Sequence, residues 1–140
     1  MTKKDFLKIV EQEGDHYKWI HNGVQCYIER NDFLSWCGYI NLEDRHTFYN
    51  TSYDKINVSV HGGLTFDEHF EGFRRIGFDC NHASDLSLLC FNYPALYRNN
   101  NFTYKDKKFV INETNKLADQ LGSLGIKYLR KEKLKDILLN

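Results

Sequence analysis

Apolar and polar positions alternate most cleanly in two stretches. Residues 16–29, HYKWIH-NG-VQCYIE, alternate on both sides of Asn22-Gly23, a dipeptide suited to a type I′ turn because both central residues take positive φ. A two-residue loop there sets His21 opposite Val24, Trp19 opposite Cys26 and Tyr17 opposite Ile28. Those residues form one mostly apolar face, while Lys18, Ile20, Gln25 and Tyr27 form the other. The second stretch, residues 56–60, puts Ile56, Val58 and Val60 on one face and Asn57, Ser59 and His61 on the other. It predicts a strand paired as a hairpin with residues 73–80, FRRIGFDC, through a turn over 67–72 with Phe66 opposite Phe73. Strict pairing would mix polar with apolar on both faces. One extra residue at Gly62-Gly63, a bulge, sets Val60 against Phe78, Val58 against Cys80, His61 against Gly77 and Ser59 against Asp79.

The remaining elements follow from caps and periodicity. Thr2 can cap a helix to about Gln12, with Phe6, Leu7 and Val10 as its apolar stripe and Gly14 as its stop. Residues 33–42, FLSWCGYINL, are apolar on both faces and predict a central strand. From Asn41 to Tyr53 the chain is mostly polar with scattered aromatics. It reads as a loop or lid in which His46, Tyr49 and Tyr53 could cover a ligand, or as a surface loop pinned by its own aromatics. Pro94 and the run Asn99 to Asn101 break the segment after Asp85. Thr103 reads as the cap of a long helix ending near Leu121, with Val110, Thr114, Leu117, Ala118 and Leu121 as its buried stripe and Gly122 as its stop. In the tail, Leu134, Ile137 and Leu138 fall at helical spacing opposite a basic face. The expected architecture is a single α+β domain over residues 1–140: an antiparallel sheet of about five strands with the long helix packed on one face, plus short N- and C-terminal helices.

Composition narrows the function classes. The 140 residues carry 19 Lys+Arg and 19 Asp+Glu, so no global charge argues for nucleic acid or an anionic membrane. Aromatic residues make up 15%, which favours an aromatic-packed, β-rich domain over disorder. No apolar run reaches the length of a membrane span, and the first residues, MTKKDFLKIVEQEG, lack a signal peptide's apolar region, so the expectation is a cytoplasmic protein. The four cysteines (26, 37, 80, 90) lack CxxC spacing and read as reduced, partly buried thiols. Cys80-x-His82 is half a pair of zinc ligands, and neither a metal nor a cofactor is expected.

The candidate chemistry collects around the twin glycines. By the bulged register His61, Asp79, His82 and Asp85 gather at one end of the hairpin. Two histidines facing one substrate can divide general-base and general-acid work, with Asp79 or Asp85 fixing a tautomer. Gly62 and Gly63 leave bare backbone whose N–H groups can approach an anion. Arg75 falls on the same side as His61 by that count, Thr65 is a rim position, and Tyr49, Tyr53 and Phe66 could stack a base. Cys80 shares the core side with Ile76 and Phe78, which weakens it as a nucleophile. The structural alternative is that His61 bonds a loop carbonyl while Asp79 and Asp85 cap turns.

The strings HGGLTF (61–66) and IGFDCNHxxD (76–85) resemble those of a family of small, uncharacterised proteins of bacteria, prophages and phages, in which HGGLT(Y/F) precedes GFDxxHxxD. The likeness runs from about Trp36 to Leu121 and includes the loop around His46 and the pair Tyr53-Asp54. Ala83-Ser84 stand here before Asp85, where the family pattern has a glycine. The resemblance implies a mobile-element setting, in the cytosol of a host cell, and a counter-defence role. Three readings follow. One is binding of a small phosphate-bearing, nucleotide-like ligand at His61, Asp79 and His82. Another is a metal-independent hydrolase or phosphodiesterase with His61 and His82 as its acid/base pair. The third is a protein-binding inhibitor of a host factor. A membrane partner is not expected, nucleic acid is disfavoured, and an oligomer is compatible with all three.

Overall fold

A computed structural model of the chain describes residues 1–97 and 101–121. Its architecture is α+β. Five antiparallel strands, β1 (His16–His21), β2 (Val24–Arg30), β3 (Trp36–Glu43), β4 (Phe66–Phe70) and β5 (Phe73–Asp79), form one sheet in the order β1-β2-β3-β5-β4. Helix α1 (Lys3–Glu13) precedes them, the short α2 (Leu88–Asn92) follows, and a helix over 107–121, α3, packs on one face. The expected C-terminal helix and the stop at Gly122 lie outside the described residues.

The first hairpin forms in the expected register: His21 opposite Val24, Trp19 opposite Cys26, Tyr17 opposite Ile28. Asn22 and Gly23 take φ of 50° and 81°, the geometry a type I′ turn requires. Helix α1 begins with a reciprocal capping box. The Asp5 N–H donates to Thr2 Oγ1 and the Thr2 N–H to Asp5 Oδ2, each at 3.1 Å, satisfying two donors that a helix start leaves open.

Alternate residues of the strands and one stripe of α3 share the core. Ile28, Trp36, Ile40, Leu42, Ile76 and Phe78 are buried against Val110, Leu117, Ala118 and Leu121. Close approach of helix to sheet depends on Gly38. A Cβ there would overlap Thr114 Oγ1 and come within 2.6 Å of the Phe78 ring. Polar ties complete the docking: Trp19 Nε1 donates to Asn115 Oδ1 (2.7 Å), and His21 Nε2 lies 2.9 Å from Asp119 Oδ1. Glu13 fastens α1 to the start of α3. It accepts from the Arg30 guanidinium, Trp36 Nε1, the Tyr104 hydroxyl and the Lys107 backbone N–H.

The central hairpin differs from expectation. Residues 56–60 do not join the sheet; the fourth strand is Phe66–Phe70, with Phe70 opposite Phe73 and Phe66 opposite Gly77. The turn is thus Glu71-Gly72 rather than 67–72, and Gly62-Gly63 is a tight turn, closed by Gly63 N–H to Val60 C=O at 2.9 Å, rather than a bulge. Alternation over 56–60 is real, because Ile56 is buried and Val58 and Val60 pack against the core. The backbone partner is α3 instead of a strand. The Gln120 side-chain amide accepts from the Ser59 N–H (2.8 Å) and donates to the Ser59 C=O (2.9 Å), the same pair of bonds a neighbouring strand supplies.

Three boundaries also move. Strand β3 starts at Trp36, because Asn31 Oδ1 holds residues 31–35 in a turn by accepting from Phe33 and Ser35 N–H. It continues to Glu43, which shortens the following loop. Helix α3 is capped by Asp106, whose Oδ1 accepts from the Phe109 N–H at 2.8 Å, and Thr103 instead forms a parallel bridge with Asp85.

Candidate functional site

His61 enters its position from the segment pinned along α3. Its own N–H donates to Glu113 Oε1 at 3.1 Å, and its ring meets Phe109 edge-on at 5.3 Å. Nε2 lies 3.0 and 2.9 Å from the two carboxylate oxygens of Asp85. An ionised carboxylate only accepts, so Nε2 carries the proton and Nδ1 is left with a lone pair. Among the described residues Nδ1 makes no hydrogen bond, and the ring keeps 18% of its surface exposed.

Asp85 is the anchor of this arrangement. Its side chain is wholly buried, and besides His61 it accepts from the His82 N–H at 3.0 Å and lies 3.1 Å from Lys105 Nζ. Burial alone would raise its pKa. The bonds from the His61 ring, the His82 N–H and Lys105 outweigh that and hold the carboxyl below its ordinary range. The loop carrying Asp85 is fixed by Leu86 N–H to Thr103 C=O and Thr103 N–H to Ser84 C=O, both 2.9 Å.

His82 makes a second, looser pair. Its Nε2 lies 3.5 Å from Asp79 Oδ1, is buried and has no hydrogen bond among the described residues. The ring as a whole is 32% exposed. Asp79 is itself oriented, accepting from Thr65 Oγ1 at 2.9 Å and the Asn81 N–H at 3.0 Å. Gly62, at φ 68°, is the surface on which the His82 ring lies, since a Cβ there would fall 2.5 Å from Cε1 and nearer still to Nε2 and Cδ2. The two imidazoles are 5.6 Å apart between centroids, at 68° to one another.

The structure therefore brings together His61, Gly62, Thr65, Asp79, His82 and Asp85, with Gly63 open beside them. It does not bring Arg75, Tyr49 or Tyr53 to the same place. Arg75 lies on the sheet face away from α3, among Tyr27, Phe70 and Phe73. The expected shared side with His61 fails because residues 56–60 are not the strand paired with β5. The Tyr49 ring packs edge-on against His69. Tyr53 opens a short 3₁₀ turn, Tyr53–Lys55, and is exposed. The loop after β3 is held down rather than free to close. Arg74, buried, bonds Asp67 through Nε (2.7 Å) and Nη2 (2.9 Å), and its Nη1 donates to the carbonyls of Phe48, Tyr49 and Thr51. His46 Nδ1 accepts from the Phe48 N–H, so its Nε2 proton donates to Leu121 C=O at 2.7 Å.

Lys105, Phe109 and Glu113 belong to the site and were missed by the sequence reading. Phe109 and Glu113 are four apart on α3 and so share a face; what hid them was the misassigned partner of residues 56–60. Among the described residues no group of three His, Cys, Asp or Glu side chains is arranged to hold a metal ion. The Lys105 ammonium lies 3.1 Å from Asp85 Oδ1. Cys80 is buried, and its thiol is pushed far up, first by that burial and then by neighbouring carboxylates such as Asp85, which disfavours it as a nucleophile.

Two concavities among the described residues lie away from the His61–His82 pair. One concavity of about 520 Å³, lined by Asn41, Glu43, His46 and Phe73, lies at the far end of β5 from Asp79. Another of about 550 Å³ covers Lys18, Tyr27 and Arg75. No family model, curated protein or solved structure matches the chain. No described helix is long and apolar enough to cross a membrane.

Proposed function

We propose that His61 and His82 act as a general acid/base pair on a small phosphate-bearing, nucleotide-like molecule, as a metal-independent hydrolase or phosphodiesterase. The observation that carries the reading is the His61–Asp85 pair. A buried carboxylate fixes the proton on Nε2 and leaves Nδ1 unengaged among the described residues, in a ring whose centroid is 5.6 Å from that of a second imidazole, so that one ring can take a proton while the other gives one. His61, held by Asp85 and Glu113, is the base that draws a proton from the attacking water. His82, on the glycine floor and beside Asp79, protonates the leaving oxygen. The mobile-element context carried by the HGGLTF and GFDCNHxxD strings points to a host signalling nucleotide as the substrate class and to counter-defence as the role.

A second reading, sequestration of the same ligand without chemistry, is favoured by one observation. His82 Nε2 is buried against Asp79, which takes one nitrogen out of reach of a substrate. Both readings are tested by incubating the protein with pooled nucleotide metabolites and following each species by mass spectrometry. Catalysis consumes one species, and His61→Ala slows that consumption by roughly 10²–10⁴-fold. Sequestration returns a species intact after denaturation. Retention or consumption unchanged in both His61→Ala and His82→Ala removes the site from either reading.

A further inference from the structure

The sheet face turned away from α3 carries rows of side chains set by the strand register. Of its rows, two cross all five strands: one runs Lys18, Tyr27, Tyr39, Gly77, Phe66, and the next runs Ile20, Gln25, Asn41, Arg75, Glu68. No described helix contributes to this face, and Ile20 is 70% exposed on it. Gly77 is bare so that Tyr39 and Phe66 can meet across it with centroids 4.8 Å apart. A Cβ at Gly77 would come 2.5 Å from Tyr39 Cδ1.

Arg75 stands where these rows meet. Its Nε donates to Asn41 Oδ1 at 3.1 Å, and Asn41 Nδ2 in turn donates to Gln25 Oε1 at 3.0 Å. The guanidinium lies 5.2 Å from the Tyr27 centroid and 5.9 Å from that of Phe73. One edge of the fork is thus held by an amide and its planes are flanked by aromatic rings. Among the described residues neither Nη nitrogen has an acceptor or an ion-pair partner, although Glu68 stands opposite Arg75 on β4. Lys18, also without an ion-pair partner among the described residues, sits 5.4 Å from the same Tyr27 ring, whose hydroxyl is fixed by donation to Glu29 Oε2 at 2.6 Å. Over these groups lies the 550 Å³ concavity, within the size range of small-ligand sites.

We propose that this concavity is a second binding site, separate from the His61–His82 site, and that it takes a mononucleotide. The Nη edge of Arg75 forks the phosphate, Lys18 neutralises its remaining charge, and the base lies on the exposed aromatic and apolar surface. Two unsatisfied donors held in a plane match the oxygens of a phosphate monoester, a geometry an ammonium does not reproduce. The rings beside them supply stacking that a bare anion would not use. The site does not rest on the acid/base reading of His61 and His82.

Adenosine 5′-monophosphate, adenosine and inorganic phosphate are the probes, titrated by calorimetry against the full chain and against Arg75→Gln, Arg75→Lys and Asn41→Ala. The monophosphate is expected to bind at least tenfold more tightly than either fragment. Arg75→Gln is expected to weaken it at least tenfold and Asn41→Ala, which releases Nε, severalfold. Arg75→Lys should recover little, because it keeps the charge and loses the fork. A denaturant midpoint for Arg75→Gln equal to that of the parent shows that binding, not folding, was lost. Monophosphate binding unchanged in Arg75→Gln, absent from the parent at millimolar concentration, or matched by phosphate alone overturns the proposal.

Discussion

Gly62 and Gly63 offer a sharp internal comparison. Both sit in the left-handed region, at φ 68° and 79°, so replacing either by alanine costs about 1–2 kcal/mol of backbone strain. Their surroundings differ. A methyl on Gly63 meets nothing within 4 Å, whereas one on Gly62 overlaps the His82 ring. Forcing that ring off its floor adds about 1–3 kcal/mol, the usual cost of overpacking a fitted contact. Gly62→Ala is therefore expected to destabilise by about 2–5 kcal/mol and Gly63→Ala by about 1–2 kcal/mol. Urea unfolding followed by fluorescence of Trp19 and Trp36 measures both. Combining each glycine variant with His82→Ala isolates the steric part: with the ring gone, the excess at position 62 should vanish, a coupling of about 1–3 kcal/mol. Equal costs at the two glycines, or an excess that survives loss of the His82 ring, would refute the packing argument.

Other expectations follow from the same contacts. Asp85→Asn strips the buried partner from His61 and Lys105 and should cost about 3–5 kcal/mol at neutral pH. The folded-state pKa values of Asp85 and Asp67 lie below the free value of 3.8. The unfolded chain therefore binds more protons there, and this share of stability is full above that value and drains away as pH falls through the folded values. Unfolding midpoints should hold above about pH 4 and, as pH falls below it, drop more steeply in the parent than in Asp85→Asn; parallel curves would count against the assignment. Arg74→Lys loses the fork to Asp67 and part of its hold on residues 48–51, for about 2–3 kcal/mol. Limited proteolysis should then open the loop between β3 and the 3₁₀ turn, and a cleavage pattern identical to the parent's would argue against Arg74 as its anchor. Gln120→Ala removes both bonds to Ser59, for about 1–2 kcal/mol, and should speed amide exchange at Ser59; unchanged protection there would mean that other contacts hold the segment.

What could be read from the sequence depended on how local its physics was. The Asn22-Gly23 hairpin was legible to the residue, because turn chemistry and alternation act over a dozen positions and agree. Helix α1 and the buried stripe of α3 were legible for the same reason, through a cap and a repeat. Residues 56–60 misled because alternation reports which side chains are buried, not what the backbone bonds to. Val58 packs inward whether its neighbour is a strand or Gln120. The clustering of His61, Asp79, His82 and Asp85 survived that error because all four are anchored at turns close to the glycines. Arg75 did not: it shares its face of β5 with Gly77 and Asp79 as expected, but His61's place on that face depended on a pairing that does not exist. Glu113 and Lys105 were out of reach: nothing near them in the chain signals that one will hold the distant His61 and the other Asp85.

The amide of Gln120 has one more implication. With Glu113 holding the His61 N–H, it makes the His61 backbone a passenger of the helix, while the loop carrying His82 and Asp85 follows the strand beneath. Any small slide or tilt of that rod would strain the bond from the His61 ring to Asp85 without breaking a strand-to-strand bond. The length of that bond is in that sense a gauge of how firmly the two layers are seated.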